Sequence, residues 1–222
     1  MSKFALVINN LSCGGTERQV SILANGLAKK HEVTLFLLSA DNQEKLFFQP
    51  MLDPAVQVVN CGTGTNSLLS ICKLFFYTLF RRYQFVSCYN NTGNLVGSVI
   101  LRLTNPLSKI FCNVRGNKAL NYQFIKIRKW FVSGILTNSQ EIKQVLIEKY
   151  RFKKGIFVVN NGIELLSVEP KVDQAQKTII SIGRITPVKN HYDLIHAANQ
   201  LRHYDLKFLI IGDIQDNEYQ QG

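Results

Sequence analysis

Short apolar runs alternate with segments of helical spacing along most of this chain. Runs at 4–8, 33–38, 56–60, 85–89, 109–114, 135–138 and 156–159 are continuous rather than alternating. Such runs fit strands buried on both faces of a sheet. Between the first two, Val20, Leu23, Ala24, Leu27 and Ala28 recur at helical spacing, which predicts a helix over 16–30. Further helices are expected at 67–83, 93–103 and 139–150, with a helix or helical loop at 120–132. Ser139 is the expected N-cap of its helix, with Glu141 early and Lys149 late, as the helix dipole prefers. The mixed segment 41–54 reads as a loop holding a short helix. Strands alternating with helices predict a parallel, doubly wound α/β sheet.

The pattern breaks at 164–176, which is polar, contains Pro170 and has no periodicity. A second α/β unit then starts, with a strand at 178–182, a helix at 188–202 opened by Pro187, and a strand at 206–211. The expected organisation is a first domain at 1–162, a linker at 163–176 and a second domain at 177–222. One βαβ unit of this size does not bury its own core, so the second domain is expected to be incomplete.

Charge changes the picture. Up to Gly162 there are 20 Lys and Arg against 7 Asp and Glu, a net of +13. From Ile163 onward there are 6 against 8, a net of −2. A basic first domain beside a near-neutral second one implies an anionic partner for the first alone. Two segments interleave cations with large apolar residues: 67–82, with Lys73, Arg81 and Arg82, and 122–132, with Lys126, Arg128, Lys129 and Trp130. They fit an anionic membrane surface, while most of the aromatics would also fit a core, the core reading standing slightly ahead for the first segment. No nucleic-acid motif accompanies them, so no nucleic-acid partner is expected. Five cysteines lack metal spacing and an even count, which argues for a reducing cytoplasm and no metal. No signal peptide or spanning segment is expected.

Candidate chemistry lies at strand ends. Gly183, Arg184 and Lys189 surround a glycine turn followed by Pro187. Backbone N–H groups, a guanidinium and an ammonium there suit a diphosphate. The same two cations would serve as solvated loop residues. Gly14, Gly15 and Glu17 follow the first strand, where paired glycines admit a ligand to the backbone or simply make a tight turn. The G-x-G-x-x-G dinucleotide fingerprint is absent. Asn160-Asn161-Gly162 reads as a turn or a hinge. His31, His191, His196 and His203 give no metal spacing, and no Ser-His-Asp or paired-carboxylate set is visible.

Taken in order, these motifs resemble the GT-B-fold glycosyltransferases, specifically the family-4 type of retaining enzymes. The resemblance rests on Gly14-Gly15-Thr16-Glu17, Asn138-Ser139, Val159-Asn160-Asn161-Gly162-Ile163-Glu164, Ile182-Gly183-Arg184-Ile185, Pro187-Val188-Lys189-Asn190 and Ile210-Ile211-Gly212-Asp213. It implies a Rossmann-like acceptor-side domain followed by the first part of a Rossmann-like domain for a nucleotide sugar. It also implies transfer with retention to a glycan or lipid-linked acceptor, in cell-surface polysaccharide or lipopolysaccharide synthesis. Arg184 and Lys189 match residues that stabilise the leaving diphosphate, and Gly15 a backbone position that closes over the donor. Gly14, Glu17, Asn161 and Gly183 are the further expected substrate contacts, and no cofactor or metal is implied. The enzyme would work in the cytoplasm, on or near the inner face of a membrane.

Two features depart from the family pattern. The glutamate pair seven residues apart falls beyond Gly222, and the fourth-strand end reads Cys88-Tyr89-Asn90-Asn91-Thr92 without the histidine of many relatives. The 222-residue form alone is therefore expected to be inactive. The competing expectation is a truncated, non-catalytic chain that binds a partner or a membrane. A GT-B-like epimerase would need acid–base residues that are not found here.

Overall fold

The computed structural model describes residues 1–62, 67–116, 130–152, 155–163 and 177–213. Its contacts divide the chain into two compact units, Met1–Glu164 and Leu165–Gly222. All but the first residue of the linker expected at 163–176, and most of the segment at 120–132, lie outside the described residues.

In the first unit seven strands form one sheet: β1 (Lys3–Ile8), β2 (Glu32–Leu37), β3 (Val56–Asn60), β4 (Phe85–Cys88), β5 (Lys109–Val114), β6 (Gly134–Thr137) and β7 (Gly155–Val158). Their order is β3-β2-β1-β4-β5-β6-β7, and every pairing is parallel. The chain moves outward from β1 to β3 and then returns to place β4 beside β1. That reversal makes a crevice at the C-terminal ends of β1 and β4, where open α/β sheets bind ligands.

Both faces of the sheet are covered. On one, Leu6, Ile8, Leu35 and Leu37 pack with Val20 and Ala24 of α1 (Gly15–Ala28). On the other, Val7, Phe36, Val86, Ile110 and Ile135 pack with Leu74, Leu101 and Leu146. These last three come from α2 (Ser67–Leu79), α3 (Ser98–Thr104) and α4 (Gln140–Glu148). Each fully buried leucine contributes about 1.5–3 kcal/mol relative to exposure. Two-sided burial explains why the strands read as continuous apolar runs.

Two local outcomes differ from the sequence reading. Helix α2 ends at Leu79 rather than at 83. Tyr83 is drawn out of the helix because its ring is buried and its N–H donates to Asn105 Oδ1 at 2.9 Å. A wide π-turn, Gly93–Gly97, precedes α3. A Cβ on Gly97 would stand 2.8 Å from Cys88 Sγ, so glycine lets this turn press onto β4. The loop 41–54 holds short helical turns in line with the sequence reading, two of them and both of 3-10 type, Glu44–Leu46 and Gln49–Met51. They are laced to the loop after β1 by Leu11 N–H to Lys45 O (2.8 Å) and Phe48 N–H to Leu11 O (2.9 Å). Ser139 caps α4 as expected, accepting from the Ile142 N–H at 3.4 Å.

In the second unit β8 (Lys177–Ile182) pairs in parallel with β9 (Leu206–Ile211), and α5 (His191–Gln200) connects them. None of the five cysteines is in a disulfide, and burial pushes the Cys61 thiol up to about 11.

Candidate functional site

In the first unit the site is built on the C-terminal edge of the sheet. Gly14 is the extended N-cap of α1, with φ −141° and ψ 157°, and its N–H donates to Ser12 O at 2.8 Å. Glu17 folds its carboxylate back over this residue. A Cβ on Gly14 would overlap Glu17 Oε2 and stand 3.1 Å from its Cδ, so glycine is needed here for the glutamate to fold over the helix start. Gly15 differs: a Cβ there would meet nothing within 4 Å. Packing within the described chain does not require glycine at that position, and the space above its backbone is open.

Across the crevice, Asn90 follows β4 in the left-handed conformation with φ 59°. Its Nδ2 donates to Glu17 Oε1 at 3.1 Å, tying the ends of β1 and β4 together. Asn161, after β7, accepts from Arg115 Nη1 at 2.8 Å. Gly162 is held by two bonds to Gln19: its N–H donates to Oε1 and its carbonyl accepts from Nε2, both at 2.8 Å. Residues 161–162 are thus fastened to α1 and β5, which favours the fixed turn over the free hinge. Arg115 lies over the ring of the buried Tyr89, 5.6 Å from its centroid. Burial lowers the Arg115 pKa and raises that of the Tyr89 hydroxyl. Sequence reasoning missed Arg115 and Gln19, whose partners lie 46 and 143 residues away.

The second unit presents its own edge. After β8, Gly183 N–H donates to Ile211 O at 2.9 Å and Ile185 N–H to Asp213 O at 3.0 Å. The stem of Lys189 lies alongside Gly183; a Cβ on that glycine would sit 3.7 Å from Lys189 Cδ. Arg184 follows directly, and the side chains of Arg184 and Lys189 are both exposed. The helix does not open at Pro187, however. Pro187–Lys189 forms one 3-10 turn, and Asn190 breaks it in the left-handed conformation at φ 48° before α5 starts at His191. Asn190 Nδ2 donates to Asp193 Oδ2 at 2.6 Å, which secures the break. Lys189 is therefore the last residue of a separate turn rather than part of the first turn of the helix. The buried His191 contributes a positioning contact that its sequence did not reveal. Its Nε2 is 3.1 Å from Arg184 O. A carbonyl only accepts, so Nε2 carries the proton and the ring anchors the Arg184 backbone.

Residues 163–221, which contain the Gly183–Lys189 turn, match the family model described as Glycosyl transferases group 1. The chain resembles the group 1 glycosyltransferases. It is 26% identical over 237 residues to a Campylobacter jejuni enzyme, N-acetylgalactosamine-N,N'-diacetylbacillosaminyl-diphospho-undecaprenol 4-alpha-N-acetylgalactosaminyltransferase. That match covers 96% of this chain and 63% of the relative, so the chain spans less than two thirds of the relative's length. Among solved structures, Anabaena HepE in complex with UDP and glucose aligns with a TM-score of 0.71 at 16% identity. It is covered over 63% of its length by 99% of this chain. TarM aligns with a TM-score of 0.74 at 11% identity, with 99% and 73% of the two chains covered. At these identities the structural likeness shows the α/β fold of the group. Among the described residues no cluster of three His, Cys, Asp or Glu side chains is placed to hold a metal.

Proposed function

We propose that this chain supplies the acceptor-side unit and part of the donor-side unit of a retaining glycosyltransferase. It would move a sugar from a nucleoside-diphosphate sugar to a glycan or lipid-linked acceptor in cell-surface polysaccharide or lipopolysaccharide synthesis. The observation that carries this reading is the turn after β8, where Lys189 lies along a bare glycine backbone with Arg184 next to it, inside the segment matched by the family model. In that role Arg184 and Lys189 bind the donor diphosphate and Gly183 lets it approach the backbone. In the first unit Gly14 and Gly15 bring the backbone at the start of α1 to a substrate, while Glu17 and Asn161 face the acceptor. Two fixed cations replace a metal ion in balancing the diphosphate. The Campylobacter relative's name includes a diphospho-undecaprenol group and the HepE structure contains UDP, which supports both substrate classes.

Calorimetry on the full-length polypeptide tests the donor half. One of UDP, GDP or dTDP binds in the presence of EDTA. Failure of all three to bind, with and without magnesium, would leave only the non-catalytic reading of this chain.

The reading also places the first unit on the cytoplasmic face of a membrane. Helix α2 packs one side into the core and leaves apolar side chains exposed on another, which supports this reading. Leu74 and Thr78 are fully buried, while Leu69, Phe76 and, just beyond its end, Phe80 are 52%, 63% and 86% exposed. Arg81 and Arg82 stand beside that apolar stripe. No helix among the described residues is long and apolar enough to cross a membrane. Flotation with vesicles carrying anionic lipid recovers the protein at low salt, and Phe76→Ser with Phe80→Ser releases it. Equal recovery on neutral vesicles, unaffected by salt, would count against the assignment.

A further inference from the structure

We propose that Arg115 binds a phosphate group of the acceptor at the C-terminal edge of β5. This rests on the glycosyltransferase reading and deepens it by naming the chemical group that the acceptor brings. Arg115 is a half-buried guanidinium whose hydrogen-bonding capacity is mostly unused. One of its five N–H bonds, on Nη1, is given to Asn161 Oδ1, while Nε is buried with no partner. Its aromatic neighbour Tyr89 supplies a ring face and no charge.

Proteins seldom bury a guanidinium without a carboxylate or a full set of acceptors, because the charge loses its hydration. Neither is present among the described residues. The ion pairs among the described residues are Lys3–Glu32 and Lys45–Asp41, both away from Arg115. The acid on this edge, Glu17, is engaged by Asn90 instead. Burial lowers the Arg115 pKa, and no carboxylate opposes that shift.

An anionic ligand supplies what is missing. The edge of a guanidinium that carries Nε is one of the forks that fit two phosphate oxygens, a geometry lysine cannot copy. The neighbouring strand adds a second unmet group. Val114 pairs with Thr137, so the next residues along the two strands are Arg115 and Asn138. Asn138 Oδ1 is also buried without a partner. It needs a donor, and a sugar hydroxyl provides one. A glycosyl phosphate carries both complements, an anion for Arg115 and a hydroxyl for Asn138. The net charge of +13 up to Gly162 draws such a ligand toward this unit. The donor diphosphate is assigned to Arg184 and Lys189 in the other unit, so the acceptor is the source of this phosphate.

The test uses the full-length polypeptide, with geranyl diphosphate as a soluble acceptor mimic, geranyl glucoside as its uncharged counterpart and UDP as the donor mimic. Arg115→Met weakens geranyl diphosphate binding about 10–100-fold, the range for hydrogen bonds to a charged group. Geranyl glucoside and UDP affinities stay within about twofold. Arg115→Lys keeps the charge without the fork and loses about tenfold, and it decides the matter should the methionine variant fail to fold. Unchanged binding of geranyl diphosphate in these variants overturns the proposal. So does a loss confined to UDP, which would assign the phosphate to the donor, or no binding of geranyl diphosphate by the unaltered protein. UDP binding by the unaltered protein tests the underlying reading separately, so the two can fail independently.

Discussion

Replacing Gly212 by alanine opens the end of the β8–β9 pair and releases the Gly183–Lys189 turn. A Cβ on Gly212 would overlap Gly183 O and stand 2.8 Å from Gly183 C and 3.6 Å from Arg184 Cα. All three are backbone atoms, so no side chain can swing aside to relieve the overlap. The strand ends must separate instead. The bonds from Gly183 N–H to Ile211 O and from Ile185 N–H to Asp213 O lie at that point. Losing both costs about 1–3 kcal/mol, and the displaced backbone adds strain, for a total of about 3 kcal/mol or more. The sheet in this unit has two described strands, so little else holds the edge closed. Hydrogen exchange at the Gly183 and Ile185 amides reads the effect directly. Protection should collapse there while the amides of β1 and β4, in the first unit, keep theirs. Unchanged protection at both positions would show that the close approach of residues 183 and 212 is wrong. Because Gly183 and Arg184 share the turn that Gly212 supports, nucleotide binding should fall together with protection.

Much of the fold was readable because each strand announces itself locally. The runs 56–60, 109–114 and 206–211 match β3, β5 and β9 end to end. Each is a short stretch rich in branched or aromatic residues that must be covered on its inner face. Helix ends were less legible. Pro187 is a common first residue of a helix, yet here it opens a 3-10 turn that Asn190 stops. Asparagine tolerates the left-handed conformation, but its identity alone does not say that it will adopt it. The end of α2 failed for a different reason. Residues 80–83 keep the composition of a helix, and what removes Tyr83 is a bond to Asn105 from another part of the chain.

The site divides in the same way. Gly183, Arg184 and Lys189 lie within seven residues, so one local pattern exposes them. The contacts that fix the sheet edge of the first unit join distant segments: Gln19 to Gly162, Asn90 to Glu17 and Arg115 to Asn161. No periodicity connects those residues, and sheet order alone brings them to one edge. The role of His191 was not legible, because spacing tests a histidine for metals and not for a backbone carbonyl seven positions back.

Lys189→Met should lower the transfer rate of the full-length enzyme by about 10²-fold, and the double variant with Arg184→Ala by little more than the worse single change. Under the proposed function, negative charge accumulates on the diphosphate as the bond to the sugar breaks. Fixed donors aimed at that charge are worth about 2.7–4 kcal/mol each in water-excluded sites. Both cations are exposed in this chain, so solvent screening moves the expectation to the low end of that range. Methionine is the informative replacement. It keeps an unbranched apolar stem beside Gly183, where the lysine stem lies, and removes only the ammonium. Alanine would mix lost packing with lost charge. The loss should appear in kcat more than in KM, because the charge that Lys189 opposes is greater in the transition state than in the bound donor. Sub-additivity follows from a shared target: two cations that stabilise one leaving group act as a unit. Steady-state kinetics with the donor varied supplies both numbers. An unchanged kcat in Lys189→Met with only a raised KM would reduce Lys189 to a ground-state binding contact. An unchanged kcat/KM in both single variants would remove the two residues from the mechanism altogether.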